Sequence, residues 1–383
     1  MAKETFNDWI QRVKEYMQTD EKLQAAGFIV EVIGDGNLND VHRVIEQDVE
    51  RKSVIVKHAP PYIKCLGPEY PLSAVRSEIE YEALCWFDEI AQGSVPKPYH
   101  KDTANHSFLM EDLRGYEVMK KQLVRGHLNL DAGRQIVRYL IRIHKHTTEK
   151  ELGREKFDQL KQAFENTEMV SLTRDFIFTY PFLRDHPTNQ CSPEVADFLA
   201  LIYDNDELLR NASDLRSIFL EKKDCLLHGD LHTGSIMTKD QDAKMIDLEF
   251  SFVGPLGFDL GLLLANYIFS YHAHQIDMQN KSSGCTKFHD KVRHAMSDAI
   301  SDYFGDAETR LPSEDLTSLD REVVGFAGCE LIRRIVGAAH VEDLDGNPAA
   351  EIECLKLGVN LILGYKDVNF VSVPDLMAVF GLR

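Results

Sequence analysis

Strand-forming segments come first in this chain, and helical ones follow. "GFIVEVIGDGNLNDVHRVIEQD" (27–48) alternates apolar and polar residues on either side of a tight Gly/Asp/Asn turn, so it predicts strand, turn, strand. "ERKSVIVKHA" (50–59) adds a third strand, and "SFLMEDLRGYE" (107–117) a short buried one. Helical spacing is seen over 6–26 (Phe6, Trp9, Ile10, Val13, Leu23) and 73–90 (Val75, Ile79, Leu84, Phe87, Ile90). Beyond the early strands it dominates, over 131–147, 155–166, 193–221, 257–273, 287–304 and 322–342. Only 224–252 interrupts it, with short apolar pieces separated by turn residues. Strands followed by helices predict an α+β, two-lobed architecture. The expected lobes are a small N-terminal one with an antiparallel sheet (1–112) and a larger, mainly helical C-terminal one (113–383), joined at "MEDLRG". Segments 186–193 and 305–317 read as surface loops.

Forty-three Lys and Arg stand against 62 Asp and Glu, a formal charge of −19. That balance argues against broad nucleic-acid or anionic-membrane binding, while leaving room for an anion in a local pocket. The first residues lack the apolar core of a signal peptide, and no apolar run reaches membrane-spanning length. Seven cysteines form no CxxC pair, so reduced thiols in a cytoplasmic protein are expected.

"GDGNLND" (34–40) offers backbone N–H groups where phosphates could approach. It is neither a P-loop nor GxGxxG, and taken alone it reads first as a plain hairpin turn with Asp/Gly/Asn chemistry. Lys57 ends the next strand. A solvent-facing edge lysine is the ordinary reading; a phosphate-binding lysine, paired with a helical glutamate, is the functional one. Glu78, Glu80 and Glu82 all qualify as that partner.

"HGDLHTGSIM" (228–237) sets a carboxylate, Asp230, between apolar runs, where a charge is costly without a partner. Two glycines make a helix unfavourable, so His228 and His232 do not read as an HExxH-type metal pair; GxSxG is absent. A catalytic loop fits: Asp230 as acceptor of a hydroxyl proton, Ser235 as a polar side chain facing a metal. In "MIDLEF" (245–250), strand alternation would place Asp247 and Glu249 on one face, where they repel unless a cation such as Mg²⁺ lies between them. Asp259, which opens "FDLGLLLAN", reads as an N-cap or a brace of the catalytic loop. "GFAGCELIRRIVGAAHVEDL" (325–344) reads as a helix that is apolar nearly all round except for Glu330 and the adjacent Arg333 and Arg334. Glu330 can pair one arginine at helical spacing. The second calls for another anion, for which a phosphoryl group is suited. Gly337, Ala338 and Ala339 would let this helix pack closely.

"HGDLHTGSI" followed by "IDLEF" resembles the aminoglycoside phosphotransferase-like superfamily, and within it the methylthioribose kinases. The matching stretches run through nearly the whole chain: "GDGNLNDVHRV", "VKHAPPYIKCLGPEYPLSAVRSEIEYEAL", "FLMEDL", "HGDLHTGSIM", "IDLEFSFVGPLGFDLGLLLAN" and "GFAGCELIRRIVGAAHVEDL". Ser235, where other relatives carry asparagine, and the twin Arg333–Arg334 are the discriminating details. The resemblance implies a protein-kinase-like fold and an ATP- and Mg²⁺-dependent kinase. Gly34, Asp35, Gly36, Asn37 and Asn39 would cover the ATP phosphates, Lys57 would contact them with Glu80 as partner, and the backbone of Glu111 and Leu113 would read adenine. Asp230 would orient and deprotonate the sugar hydroxyl. Asp247 and Glu249, with Ser235, would hold Mg²⁺, and Arg333 and Arg334 would bind the sugar side. The family phosphorylates the anomeric hydroxyl of 5-methylthioribose in methionine salvage and is homodimeric. Two positions depart from its pattern: Tyr70 replaces a tryptophan, and Leu248 a proline between the metal acids. Neither removes a charge.

Rival readings are a kinase of the same architecture acting on an aminoglycoside, choline or homoserine, or a nucleotide-binding regulator without turnover. Twin arginines would repel a polycationic acceptor. No aromatic cluster is committed to a choline cage. A regulator usually lacks the lysine, the base or a metal acid.

Overall fold

The computed structural model of the chain describes residues 6–33, 38–46, 52–64, 67–280, 285–305, 318–369 and 372–382. Two compact units divide the chain: Met1–Gly115 with Ile246–Ser251, and Tyr116–Met245 with Phe252–Arg383. Against the expected 1–112 and 113–383, the first unit also takes in the short segment that carries Asp247 and Glu249.

The first unit is built on a five-stranded antiparallel sheet. Its strands are β1 (Phe28–Val32), β2 (Asp40–Glu46), β3 (Ser53–His58), β4 (Pro98–Asp102) and β5 (Ser107–Glu111), in the order β1-β2-β3-β5-β4. Strand period 2 sorts the side chains of β3. Val54 and Val56 join Val44, Leu109 and Phe28 in a core closed by Trp9, Ile10, Val13 and Leu23 of the N-terminal helices. Those helices are two, Phe6–Tyr16 and Asp20–Ala25, because Thr19 interrupts the expected single one and caps the second by accepting from Lys22 N–H. Lys57, one residue out of phase with Val56, joins the helix Arg76–Ile90, whose Glu80, Ala83, Leu84 and Phe87 are buried.

The second unit is mainly helical, as expected from the order of segments. Two small antiparallel pieces serve its loops. β6 (Glu117–Val118), β8 (Ile236–Lys239) and β9 (Asp242–Met245) form one, and β7 (Cys225–Leu227) pairs with β10 (Phe252–Gly254) in the other. Phe178, Phe219, Phe258 and Phe326 interlock with neighbouring ring centroids 5.0–6.3 Å apart. The helix Leu319–Val336 is buried along its length except at Arg321 and Arg334. It crosses the helix Pro348–Gly364 at two glycines. A Cβ on Gly328 would lie 3.0 Å from the Gly358 carbonyl oxygen, and one on Gly358 would lie 3.1 Å from that of Gly328. The backbones therefore approach directly, which fixes the helix that bears the twin arginines.

Some expected segments differ. The helix expected to run to 342 stops at Val336, so Gly337–Ala339 lie past its end; Gly337 N–H bonds the Arg333 carbonyl at 2.9 Å. The expected helix 193–221 is broken into Pro193–Ala196, Ala200–Tyr203 and Asp206–Glu221, the last capped by Asn205. Most of the loop expected at 305–317 lies outside the described residues. Among the described residues no helix is long and apolar enough to cross a membrane.

Candidate active site

The first unit brings five sequence candidates together: Lys57, Glu80, Asp247, Glu249 and Asn39. Lys57 Nζ donates to Glu80 Oε1 and to Asp247 Oδ1, each at 2.7 Å. The partner left open among three glutamates is thus Glu80; Glu82 meets Lys101 and Glu78 lies near His106. Burial opposes the charge on Lys57, but the attraction of Asp247, Glu80 and Glu249 outweighs it and raises its pKa. Burial raises Glu80, as do Glu249 and Asp247, against the pull of Lys57.

The expected strand geometry of "MIDLEF" is not what forms. β9 ends at Met245, Asp247 adopts a left-handed conformation (φ +63°), and Leu248–Phe250 is a 3₁₀ turn. Aspartate tolerates that region better than most residues. Asp247 and Glu249 therefore leave in different directions: the Asp247 side chain is half-exposed, that of Glu249 buried. Each has its own cation. Glu249 Oε2 accepts from Asn39 Nδ2 at 2.8 Å and lies 3.3 Å from Arg76 Nε.

Arg76 carried no assignment from sequence. Its guanidinium also donates to Asn39 Oδ1 and to the carbonyls of Leu38, Pro60 and Ser73. It ties Leu38, Asn39, Pro60 and Ser73 to the acidic segment. A charged residue at the start of a helix that otherwise buries its face was the available signal. Asn39 is buried in this network. Gly34, Asp35, Gly36 and Asn37 lie outside the described residues. Glu111 closes β5 opposite Val54, its N–H donating to the Lys97 carbonyl at 2.9 Å, and Leu113 is buried just beyond.

The second unit assembles the remaining candidates. β7 delivers the chain to His228 and Gly229, the latter at φ +87°. Asp259 accepts from both their N–H groups, at 2.7 and 3.0 Å, and His144 Nε2 lies 3.3 Å from it. Asp259 is thus a brace of the loop. Past this corner Asp230 meets two neighbours: its Oδ1 lies 3.5 Å from Arg333 Nη2 and its Oδ2 3.4 Å from His232 Nε2. Burial works against the Asp230 charge, yet His232, Arg333 and Arg334 together hold its carboxyl well below the usual range. Ser235 Oγ donates to the Asp230 carbonyl at 3.2 Å.

Both arginines rest on Glu330. Arg333 Nε donates to its Oε2 at 2.5 Å and Arg334 Nε to its Oε1 at 2.8 Å. The glutamate is fully buried, and the two cations keep its carboxyl low against burial. Sequence reasoning gave Glu330 one arginine; it holds two. It missed His232 and Lys120, whose Nζ sits 3.5 Å from the buried Asp343 carboxylate. Arg334 bears on both: burial first, and Arg334 further, depress the pKa of each, against the pull of Asp230 on His232 and of Asp343 on Lys120.

Among the described residues no three His, Cys, Asp or Glu side chains gather into a ready-made metal cage. Mg²⁺ needs none, being bound through one or two carboxylates and substrate phosphates. The half-exposed Asp247 carboxylate suits that mode; Glu249 is committed to Asn39 and Arg76.

Residues 29–293 match the model of the phosphotransferase enzyme family. The chain is 37% identical over 364 residues to the methylthioribose kinase of Geobacillus sp. (strain WCH70), covering 91% of this chain and 89% of that relative. The chain belongs to the methylthioribose kinase family. It is 35% identical to the family member from Geobacillus thermodenitrificans (strain NG80-2), with 86% of each chain covered. The member from Bacillus velezensis (strain DSM 23117 / BGSC 10A6 / LMG 26770 / FZB42) is 36% identical, with 82% and 79% covered. As a member of this family the protein is a small-molecule kinase with a kinase-like fold.

Proposed function

We propose that this chain transfers the γ-phosphoryl group of ATP to the anomeric hydroxyl of 5-methylthioribose, giving 5-methylthioribose 1-phosphate in methionine salvage. The observation that carries the reading is Asp230 beside two arginines held by one buried glutamate, in a chain whose relatives bear that name.

Phosphoryl transfer needs positioning and charge neutralisation more than covalent help. Lys57, oriented by Glu80, contacts the ATP phosphates, and the backbone at Glu111 and Leu113 takes adenine. Asp247 is the principal Mg²⁺ ligand, with Glu249 and Ser235 as lesser candidates, and the ion supplies neutralisation of phosphate oxygens when bound. Asp230 orients the sugar hydroxyl. Its low pKa makes it a weak base, so the proton reaches it late, as the new O–P bond acidifies the hydroxyl. Each arginine spends its Nε on Glu330. Arg333 also sends Nη2 to Glu330, at 3.2 Å, and Arg334's terminal NH₂ groups carry no hydrogen bond among the described residues. We assign these groups to the sugar and the moving phosphoryl group. The same reading makes the enzyme a cytoplasmic homodimer.

ATP consumption measured against a panel of alcohols tests the substrate. Turnover with methylthioribose and a 1-phosphate product by ³¹P NMR are expected. Turnover on choline, homoserine or an aminoglycoside without methylthioribose would overturn the reading. Arg334→Ala should lower kcat/KM for the sugar roughly 10–100-fold, the worth of hydrogen bonds to a charged group. KM for ATP should stay nearly unchanged; its collapse would move the helix to the nucleotide side.

A further inference from the structure

His232 lies in the middle of the loop 228–237, beside Asp230. Gly234 N–H donates to its Nδ1 at 2.9 Å, which caps the 3₁₀ turn Thr233–Ser235. An acceptor at Nδ1 fixes the neutral tautomer, with the proton on Nε2. The arrangement depends on glycine at 234. A Cβ there would stand 2.6 Å from Cε1 and 2.7 Å from Nδ1 of the ring, inside contact distance. The ring therefore seats against the backbone with its one N–H at the far edge. That nitrogen is 3.4 Å from Asp230 Oδ2 and 3.4 Å from Ser235 Oγ. Asp230 Oδ1, for its part, faces Arg333 Nη2. The two oxygens of one carboxylate are thus bracketed by donors from two different elements, the loop and the buried helix.

We propose that His232 is a positioning residue for this kinase: its Nε2–H, locked in place by the Gly234 amide, holds Asp230 Oδ2 while Arg333 holds Oδ1, and so sets the orientation in which Asp230 meets the sugar hydroxyl. This rests on Asp230 being the base. A single contact restrains a carboxylate loosely about its Cβ–Cγ bond; a second donor on the other oxygen narrows that range further. Catalysis is sensitive to that orientation because small misplacements of a reacting group are costly.

The two ring nitrogens do different jobs, and two amides separate them. Glutamine at 232 offers an N–H near the position of Nε2; asparagine offers an acceptor near Nδ1 and no donor toward Asp230. His232→Asn should lower kcat roughly 10–100-fold, the worth of a hydrogen bond to a charged group, with KM for ATP unmoved. His232→Gln should recover most of that loss. Recovery by asparagine and not glutamine would overturn the proposal, reducing His232 to a cap of the turn. The cycle with Asp230→Asn completes the test. If His232 acts through Asp230, His232→Asn costs little further kcat on the Asp230→Asn background. An equal cost on both backgrounds overturns the proposal while leaving Asp230 as the base. Near-wild-type kcat in Asp230→Asn alone overturns the reading of the base itself.

Discussion

Asp230→Asn is expected to lower kcat roughly 10²–10⁴-fold, the usual contribution of a positioned acid–base group. The substitution keeps the shape of the side chain and removes its charge and its capacity to take a proton. Arg333 and Arg334 retain Glu330, so the buried helix keeps its ion pairs. Steady-state kinetics on the purified variant decides the matter, and a loss below about threefold would reject the role. The pH behaviour should separate chemistry from stability. The Asp230 carboxyl is held below its ordinary value of 3.8, so its ion pairs stabilise the native state fully above that value and are lost only as the pH falls below it. Across neutral and mildly acidic pH the stability gap between wild type and variant should therefore be flat.

Lys57→Met should be the most damaging substitution in the first unit. It leaves Glu80, almost wholly buried, and Asp247 without the ammonium that both contact at 2.7 Å. Removing one partner of a buried pair typically destabilises by about 3–5 kcal/mol, because the remaining charge is uncompensated. Denaturant unfolding of the variant should show that loss. Glu80 adds a sign. Burial and its acidic neighbours raise its pKa to about 7 even with the lysine present. Without the lysine the rise is greater. The folded variant then binds a proton that the unfolded chain releases at the ordinary value of 4.5, so its stability should increase as the pH is lowered from neutral toward that value. Glu80→Gln in the same chain should restore much of the loss. A Lys57→Met variant as stable as wild type at neutral pH would show that the pair is not a structural element.

Local rules reached a good part of this molecule. Apolar alternation identified β1, β2, β3 and β5, and the helical spacing after them gave the character of the second unit. Charged residues within apolar runs pointed to Lys57, Asp230, Asp247 and the twin arginines. Failures arose where a side chain's meaning lies far along the chain. Asn39 and Glu249 are 210 residues apart yet share a hydrogen bond, and nothing in "GNLND" announces it. Arg76 looks like a helix surface residue until its six oxygen partners, the Glu249 carboxylate among them, are known. "MIDLEF" reads as a strand because short apolar runs carry no period long enough to separate strand from turn. The part played by His232 depends on an amide two residues away, visible only in the folded loop.

The segment Ile246–Ser251 belongs to the amino-terminal unit although 130 residues of the other unit precede it. During synthesis, then, Lys57 and Arg76 leave the ribosome long before Asp247 and Glu249, and of their carboxylate partners only Glu80 follows closely. The first unit cannot acquire its full set of ion pairs until residue 251 has emerged, by which time most of the helical unit is also available. A fragment truncated at Gly115 should accordingly be a poor folder, and dividing the polypeptide there should yield halves that regain structure only when mixed with the missing loop supplied by the longer piece.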